Sequence, residues 1–467
     1  MPSPLPRGPW LSFAVVAVAL FLSVLSMSIV AVALPEIGRA LGATPTDLQW
    51  IIDAYVLVYA SLLIAGGVAG DRRGRKGVFM LGIVAFGTGT LIAGLAPDIR
   101  VLLLGRAVQG LGPALIIPGS LTIITATFAD FRQRSAALGL WSTSSGLALA
   151  IGPVLGGAVV DAFGWRWVFL ANAPCCLVLL WCAARFVTRI PHAESDNNFD
   201  WLGLVLSTFG MAAVTFAIIN GQDRGWLAPP IVAAAALGVA ALIVFVPWEL
   251  RRREPLVDVR LFLQPAFTIA NVAALVVFFA FVGAIVYFSA FFLQVQGRTA
   301  VETGLDISAI GVAYAFGAAL SGRLVGRFGP RVPMLGGLAL SGIATLALLR
   351  LEPDTGIGAI WWDFALVGGA VGASLTPMVT IAIGAVDKSR TGMASAVHNA
   401  MRQLGQVLGV AVLGALIYAR LPRSGAGGRL NPTQAVLFVA GLHHALWLSG
   451  LALLAAAIGA MAMLRRA

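Results

Sequence analysis

Gly67-Val68-Ala69-Gly70-Asp71-Arg72-Arg73-Gly74-Arg75-Lys76 separates two apolar runs, each long enough to cross a bilayer. Small residues close the first run, an acid follows, and four cations crowd a tight loop. Cations resist translocation across lipid, so this loop predicts which side is cytoplasmic. Its glycines allow two helices to approach closely at that point.

Outward from this loop the whole chain has the same character. Its 467 residues are 59% hydrophobic and only 11% charged, too few charges to wet the surface of a soluble domain. A formal net charge of +11 raises the question of nucleic acid. The cations, nearly all Arg with Lys76 and Lys388 the only lysines, gather in short loops and form no basic helix face, which argues against that partner. Cys175, Cys176 and Cys182 share one apolar run, a spacing that suits packing rather than a metal cage or a disulfide framework.

Fourteen stretches reach the roughly 20 residues that span a bilayer: 10–34, 48–70, 77–96, 101–126, 135–160, 167–187, 200–220, 229–249, 266–293, 304–325, 332–350, 358–385, 393–419 and 436–463. The first is longer than the apolar core of a cleaved signal peptide and reads as a transmembrane helix. Gly, Pro or Ser interrupt the first, fourth, fifth, ninth and twelfth, as where helices pack tightly or bend.

With the N-terminus inside, the cytoplasmic loops hold Arg132/Arg134, Arg185/Arg189, Arg251 to Arg253, Arg327/Arg331 and Lys388/Arg390 besides the opening loop. Arg465 and Arg466 put the C-terminus on the same side. The loop Arg420 to Leu430, with Arg420, Arg423 and Arg429, is the exception on the outer side.

Gly322-Arg323-Leu324-Val325-Gly326-Arg327-Phe328-Gly329-Pro330-Arg331 echoes the opening loop, with Gly326 in the place of Asp71. The echo implies two related halves. The expected division is an N-terminal six-helix bundle over 1–190, two inserted helices with linkers over 191–264, and a C-terminal six-helix bundle over 265–467. Ile190 to Trp201 is the longest polar linker.

Four further stretches stand in order. They are Leu104-Gly105-Arg106-Ala107-Val108-Gln109-Gly110-Leu111-Gly112, the run Gly146 to Gly157 with Gly152-Pro153 and Gly156-Gly157, Trp165 to Pro174, and His398-Asn399-Ala400-Met401-Arg402-Gln403-Leu404-Gly405. With the opening loop they resemble the major facilitator superfamily, in its fourteen-helix drug:proton antiporter family. Gly146, Gly152, Pro153, Gly156 and Gly157 resemble its antiporter motif. The resemblance implies an all-α membrane protein of the major facilitator fold, a monomer in a bacterial plasma membrane with both termini inside. It would use no cofactor or metal and would not be an enzyme. It would export an amphipathic small molecule, a drug or antibiotic, against inward protons by alternating access. Gly67, Asp71, Arg72, Gly74 and Arg75 would form the cytoplasmic latch.

One departure stands out. The first helix of that family commonly reads Leu-Asp-x-Thr-Val-Val-Asn-Val-Ala-Leu-Pro; here Leu25 to Pro35 carries Ser26 for the acid and Ala31 for the Asn. The best substitute proton carrier is Asp53, roughly 7 Å below the outer end of the second helix, with Arg106 at a similar depth in the fourth. An Asp53–Arg106 pair that opens for a proton or a cationic substrate is one reading; an interfacial Asp53 and a bracing Arg106 is the other. Ser26, Met27, Trp141, Tyr287, Tyr314, His398 and Arg402 are candidates for the cavity wall, with packing as the competing role. The phenylalanines at 278, 279, 281, 288, 291 and 292 form either a drug pocket or an apolar core. A lost first-helix acid also allows the same fold to export a lipid or self-made natural product with altered or absent proton coupling.

Overall fold

Apolar stretches of this length satisfy their backbones in lipid only as helices or closed barrels, and helices are what form. The computed structural model describes residues 8–188, 190, 200–252, 255–387, 390–419, 421 and 429–464. The N-terminal side has α1 (Pro9–Leu41), α2 (Pro45–Arg73), α3 (Arg75–Gly94), α4 (Ile99–Thr127), α5 (Phe131–Phe163) and α6 (Arg166–Phe186). Then come α7 (Trp201–Arg224) and α8 (Pro229–Arg251). The C-terminal side has α9 (Pro265–Ala290), α10 (Ala300–Phe328), α11 (Arg331–Ala347), α12 (Ile357–Gly384), α13 (Thr391–Tyr418) and α14 (Pro432–Met463). Thirteen are long and apolar enough to cross a membrane, and α5 is the fourteenth, built from Phe131–Gly152 and Val154–Phe163 with a 47° bend between them. The bend falls at Gly152-Pro153, where a proline lacks the N–H that would continue the helical ladder. Most of the polar linker after Ile190 and of the Arg420 to Leu430 loop, with Arg189, Arg253, Lys388, Arg465 and Arg466, lies outside the described residues.

Side-chain caps start six of these helices. Thr44 with Asp47, Thr299 with Glu302 and Asn431 with Gln434 form reciprocal capping boxes at α2, α10 and α14. Asp98, Asp130 and Asp200 cap α4, α5 and α7 with their own carboxylates. Arg390, at the start of α13, supplies no such cap. Gly74, between α2 and α3, has φ 97°, a conformation that favours glycine at so tight a loop.

Helices pack through small residues, as expected where lipid removes the hydrophobic drive between them. Gly105 meets Ala93 between α4 and α3, and Gly409 meets the Phe279 backbone between α13 and α9. The two halves meet the same way: a Cβ added at Gly139 of α5 would lie 2.9 Å from the Gly322 Cα of α10. The inserted pair is tied together by Asp200, which accepts from Trp248 Nε1 at 3.0 Å and lies 3.7 Å from Arg252. It leans on α2 through Phe216 against Trp50, with ring centroids 5.9 Å apart.

Candidate functional site: a helix cap between halves and a mid-depth arginine

At the end of α2 the small residues admit α13. Gly67 faces Ala396 and the Gly392 carbonyl so closely that a side chain there would overlap them. One turn on, Asp71 turns its carboxylate onto the open end of α13. Oδ1 accepts the Gly392 N–H at 3.1 Å and Oδ2 accepts the Met393 N–H at 2.8 Å. These are the second and third residues of α13, so Asp71 supplies from the other half the cap that Arg390 does not. Arg75 donates to Asp71 Oδ1 from Nε at 3.2 Å and holds the carboxylate in place. Arg72, the next residue, lines a side groove of about 530 Å³ between α2, α3, α4 and α7. Ser395 adds a bond to the Pro118 carbonyl of α4 at 3.3 Å.

Arg106 is fully buried inside the N-terminal half. Its Nε donates to the Ile51 carbonyl at 2.7 Å and its Nη1 to Gln109 Oε1 at 2.6 Å, while the guanidinium lies 4.4 Å over the Tyr55 ring. Gln109 passes the connection on, donating to Ser26 Oγ at 2.9 Å and to Thr90 Oγ1 at 2.7 Å. Asp53 is not part of this network, and among the described residues no ion pair joins it to Arg106. The helical period explains why. Ile51 and Tyr55 are one turn apart on the face that meets α4, and Asp53 lies about 200° round α2 from Ile51. The expected Asp53–Arg106 pair is therefore replaced by a backbone and amide network. Ser26 likewise belongs to that network, fully buried, rather than to a cavity wall.

The second cluster lies at mid-depth, where the halves face one another. Arg402 of α13 lies roughly 16 Å along the axis from the start of its helix. Its guanidinium carbon is 4.2 Å from the Phe278 ring centroid and 5.9 Å from that of Trp141. Tyr59, Tyr314 and His398 are within electrostatic reach of it. Phe281 stacks on Tyr314 with centroids 5.2 Å apart, and Gly146 of the antiporter motif receives the Tyr314 ring. Trp141 is oriented by donating from Nε1 to Ser120 Oγ at 2.8 Å. Trp141, Tyr314, His398 and Arg402 thus come together from α5, α10 and α13. Tyr59, which joins them from α2, was missed by the sequence reading; its signal was a phenol one turn after Tyr55 in the same span.

Other candidates go elsewhere. Tyr287 donates to the Val410 carbonyl and packs on Tyr418, away from Arg402. Met27 is half-buried against the apolar core of the N-terminal half. Of the phenylalanines, 288 and 292 pack against Phe364 and 291 against Phe292 in the C-terminal core, so this part of the stripe is packing. Gly152 faces Ser28 and Gly156 faces the Ile29 carbonyl, closing α5 onto α1; the space beside Gly157 is open, and the Pro153 side chain lies outside those described.

The family model described as Major Facilitator Superfamily matches residues 16–410. Multidrug resistance protein Stp of Mycobacterium tuberculosis is 33% identical over 415 residues, covering 89% of this chain and 77% of that protein. The methylenomycin A resistance protein of Bacillus subtilis is 30% identical over 409 residues, covering 86% of each chain. The puromycin resistance protein pur8 of Streptomyces alboniger is 33% identical over 418 residues, covering 87% of this chain and 82% of that one. Among solved structures, the human organic anion transporter MFSD10 (TETRAN) superposes with a TM-score of 0.71 over 97% of this chain and 100% of its own, at 14% identity. Thirteen spans and one bent one, with these relatives, show that the chain belongs to the major facilitator superfamily, alongside its drug-resistance exporters.

Proposed function

We propose that the protein is a secondary active exporter of amphipathic small molecules, drugs or antibiotics among them, working by alternating access between its two halves in a bacterial plasma membrane. The observation that carries this reading is the cap that Asp71 places on α13. Bonds to backbone N–H groups of the opposite half form only when the halves close on that side, so they act as a reversible latch. The side of the latch is cytoplasmic, with both termini, because its short loop carries Arg72, Arg73, Arg75 and Lys76. The state seen here is then closed to the cytoplasm. The relatives named for multidrug, methylenomycin A and puromycin resistance support an antibiotic-like cargo. The protein acts as a monomer and catalyses no covalent step.

Inward protons drive export, with Asp53 as the coupling acid: an acid in a span carries a proton more readily than one in water. Arg106 supports coupling indirectly, by holding the Ile51 carbonyl of the same helix. Ser26 in the buried network favours a second reading, in which export is coupled weakly to protons or not at all. Purified protein in proteoliposomes, given a pH jump and a panel of cationic, neutral and anionic compounds, tests both. Accumulation that collapses with a protonophore supports coupling; accumulation without a pH gradient supports the second reading. No movement of any compound overturns the exporter reading.

A further inference from the structure

We propose that Arg402 is the anchor of the substrate site, and that its cargo is a flat apolar molecule carrying an ionised acidic group such as a carboxylate. This rests on the exporter reading and adds the charge of what is exported.

Arg402 is the cation of the mid-depth cluster, and among the described residues no acid pairs with it. Asp71, Asp258, Asp306 and Asp363 each pair with an arginine, Arg75, Arg390, Arg298 and Arg350. Among the described residues no carboxylate comes within ion-pairing distance of Arg402. Its Nη1 donates to Asn399 Oδ1 at 3.3 Å, and its Nε is buried without an acceptor. His398, one turn earlier on the same face and 1% exposed, leaves Nδ1 without a partner as well.

A guanidinium stays protonated in any protein environment and presents a planar fork of donors. Holding it at mid-membrane without a carboxylate is unfavourable, and the Phe278 and Trp141 faces offset that only in part. Arg106, by contrast, is fully buried and braced to a second helix, whereas Arg402 is half-buried and reachable. A carboxylate brought by the cargo would complete the fork, and Phe278, Trp141, Tyr59 and Tyr314 would flank its apolar body. A cationic cargo would instead be repelled by the like charge of Arg402. An anion leaving an inside-negative cell also moves with the field, so Ser26 in place of an acid removes little of its drive.

The test uses one fluorophore in three charge states: pyrenebutanoate, pyrenebutanol and pyrenebutyl-trimethylammonium. Binding to the full chain in nanodiscs is followed by quenching of tryptophan fluorescence. Pyrenebutanoate binds about tenfold more tightly than pyrenebutanol, the cation binds weakest, and Arg402→Gln brings the two ratios to about one. Arg402→Lys restores part of the preference, because the charge returns without the fork. A cation that binds as well as the anion, a preference that survives Arg402→Gln, or no binding of any of the three overturns the proposal. Transport of the same compounds in proteoliposomes separates the two readings. Arg402-dependent anion binding with no transport leaves the site standing and removes the exporter; export of the cation but not the anion does the reverse.

Discussion

Asp71 accepts the backbone N–H of Met393 at 2.8 Å across 322 positions of sequence. One carboxylate thus completes the first turn of a helix in the other half of the molecule. Removing an N-cap acceptor destabilises a helix end by about 1 kcal/mol. In Asp71→Ala, amide exchange at residues 392 and 393 is expected to speed up about fivefold to tenfold. Hydrogen exchange with mass spectrometry over a peptide spanning 390–400 reads this. Unchanged protection there would remove the latch.

Gly67→Ala tests the close approach from the other helix. The new methyl group meets Ala396 and the Gly392 carbonyl, so the halves cannot close on that side. Export is expected to fall about tenfold or more while the protein still inserts and purifies. Gly336→Ala is the control, because nothing lies within 4 Å of a Cβ at that position. Equal transport by the two variants would show that α2 and α13 need not meet as seen here.

The Arg106 network makes a prediction about stability. Gln109→Leu breaks the bonds to Arg106, Ser26 and Thr90 together. It leaves a buried guanidinium short of an acceptor, an unfavourable change of about 2–3 kcal/mol. Thermal unfolding in detergent, followed by tryptophan fluorescence, should show a lower midpoint. An unaltered midpoint would mean that water replaces the amide.

Asp53→Asn is expected to abolish the dependence of export on a pH gradient while leaving cargo binding in place. The readout is the ratio of uptake rates into inverted vesicles with and without the gradient. If the ratio is unaffected, Asp53 is not the coupling acid. Ser26→Asp is the complementary change: it puts a carboxylate beside the Gln109 amide, where the family commonly carries its acid. The pH profile of export in Ser26→Asp should then gain a titration that the parent lacks.

The fold was legible because its signals are local. Apolar length gave the spans, and Gly152-Pro153 marked the bent helix. Among the candidate residues, Arg402 stood out in the sequence because a guanidinium is unusual within a lipid-spanning run. Depth could be counted along an axis, and it placed Asp53 level with Arg106. Which face of α2 each residue occupies depends on how α2 rolls against α4, and that is set by packing between helices. The cap on α13 was hidden for the same reason: Asp71 and Met393 belong to different halves, and no spacing in the sequence links them. Tyr287 failed as a cavity residue because its hydroxyl is taken by a backbone carbonyl, which composition does not reveal.

The two signature loops are unequal in what they can hold. Gly326 stands where Asp71 does in the first, and it lies against Arg132 of α5. A glycine has no carboxylate with which to hold a neighbouring helix end, so the pseudo-symmetric partner of the clasp is missing. Parting the halves would therefore bare the amide protons of Gly392 and Met393, and water must solvate them there. In the first loop Asp71 holds the start of α13, and the second loop has no counterpart to it.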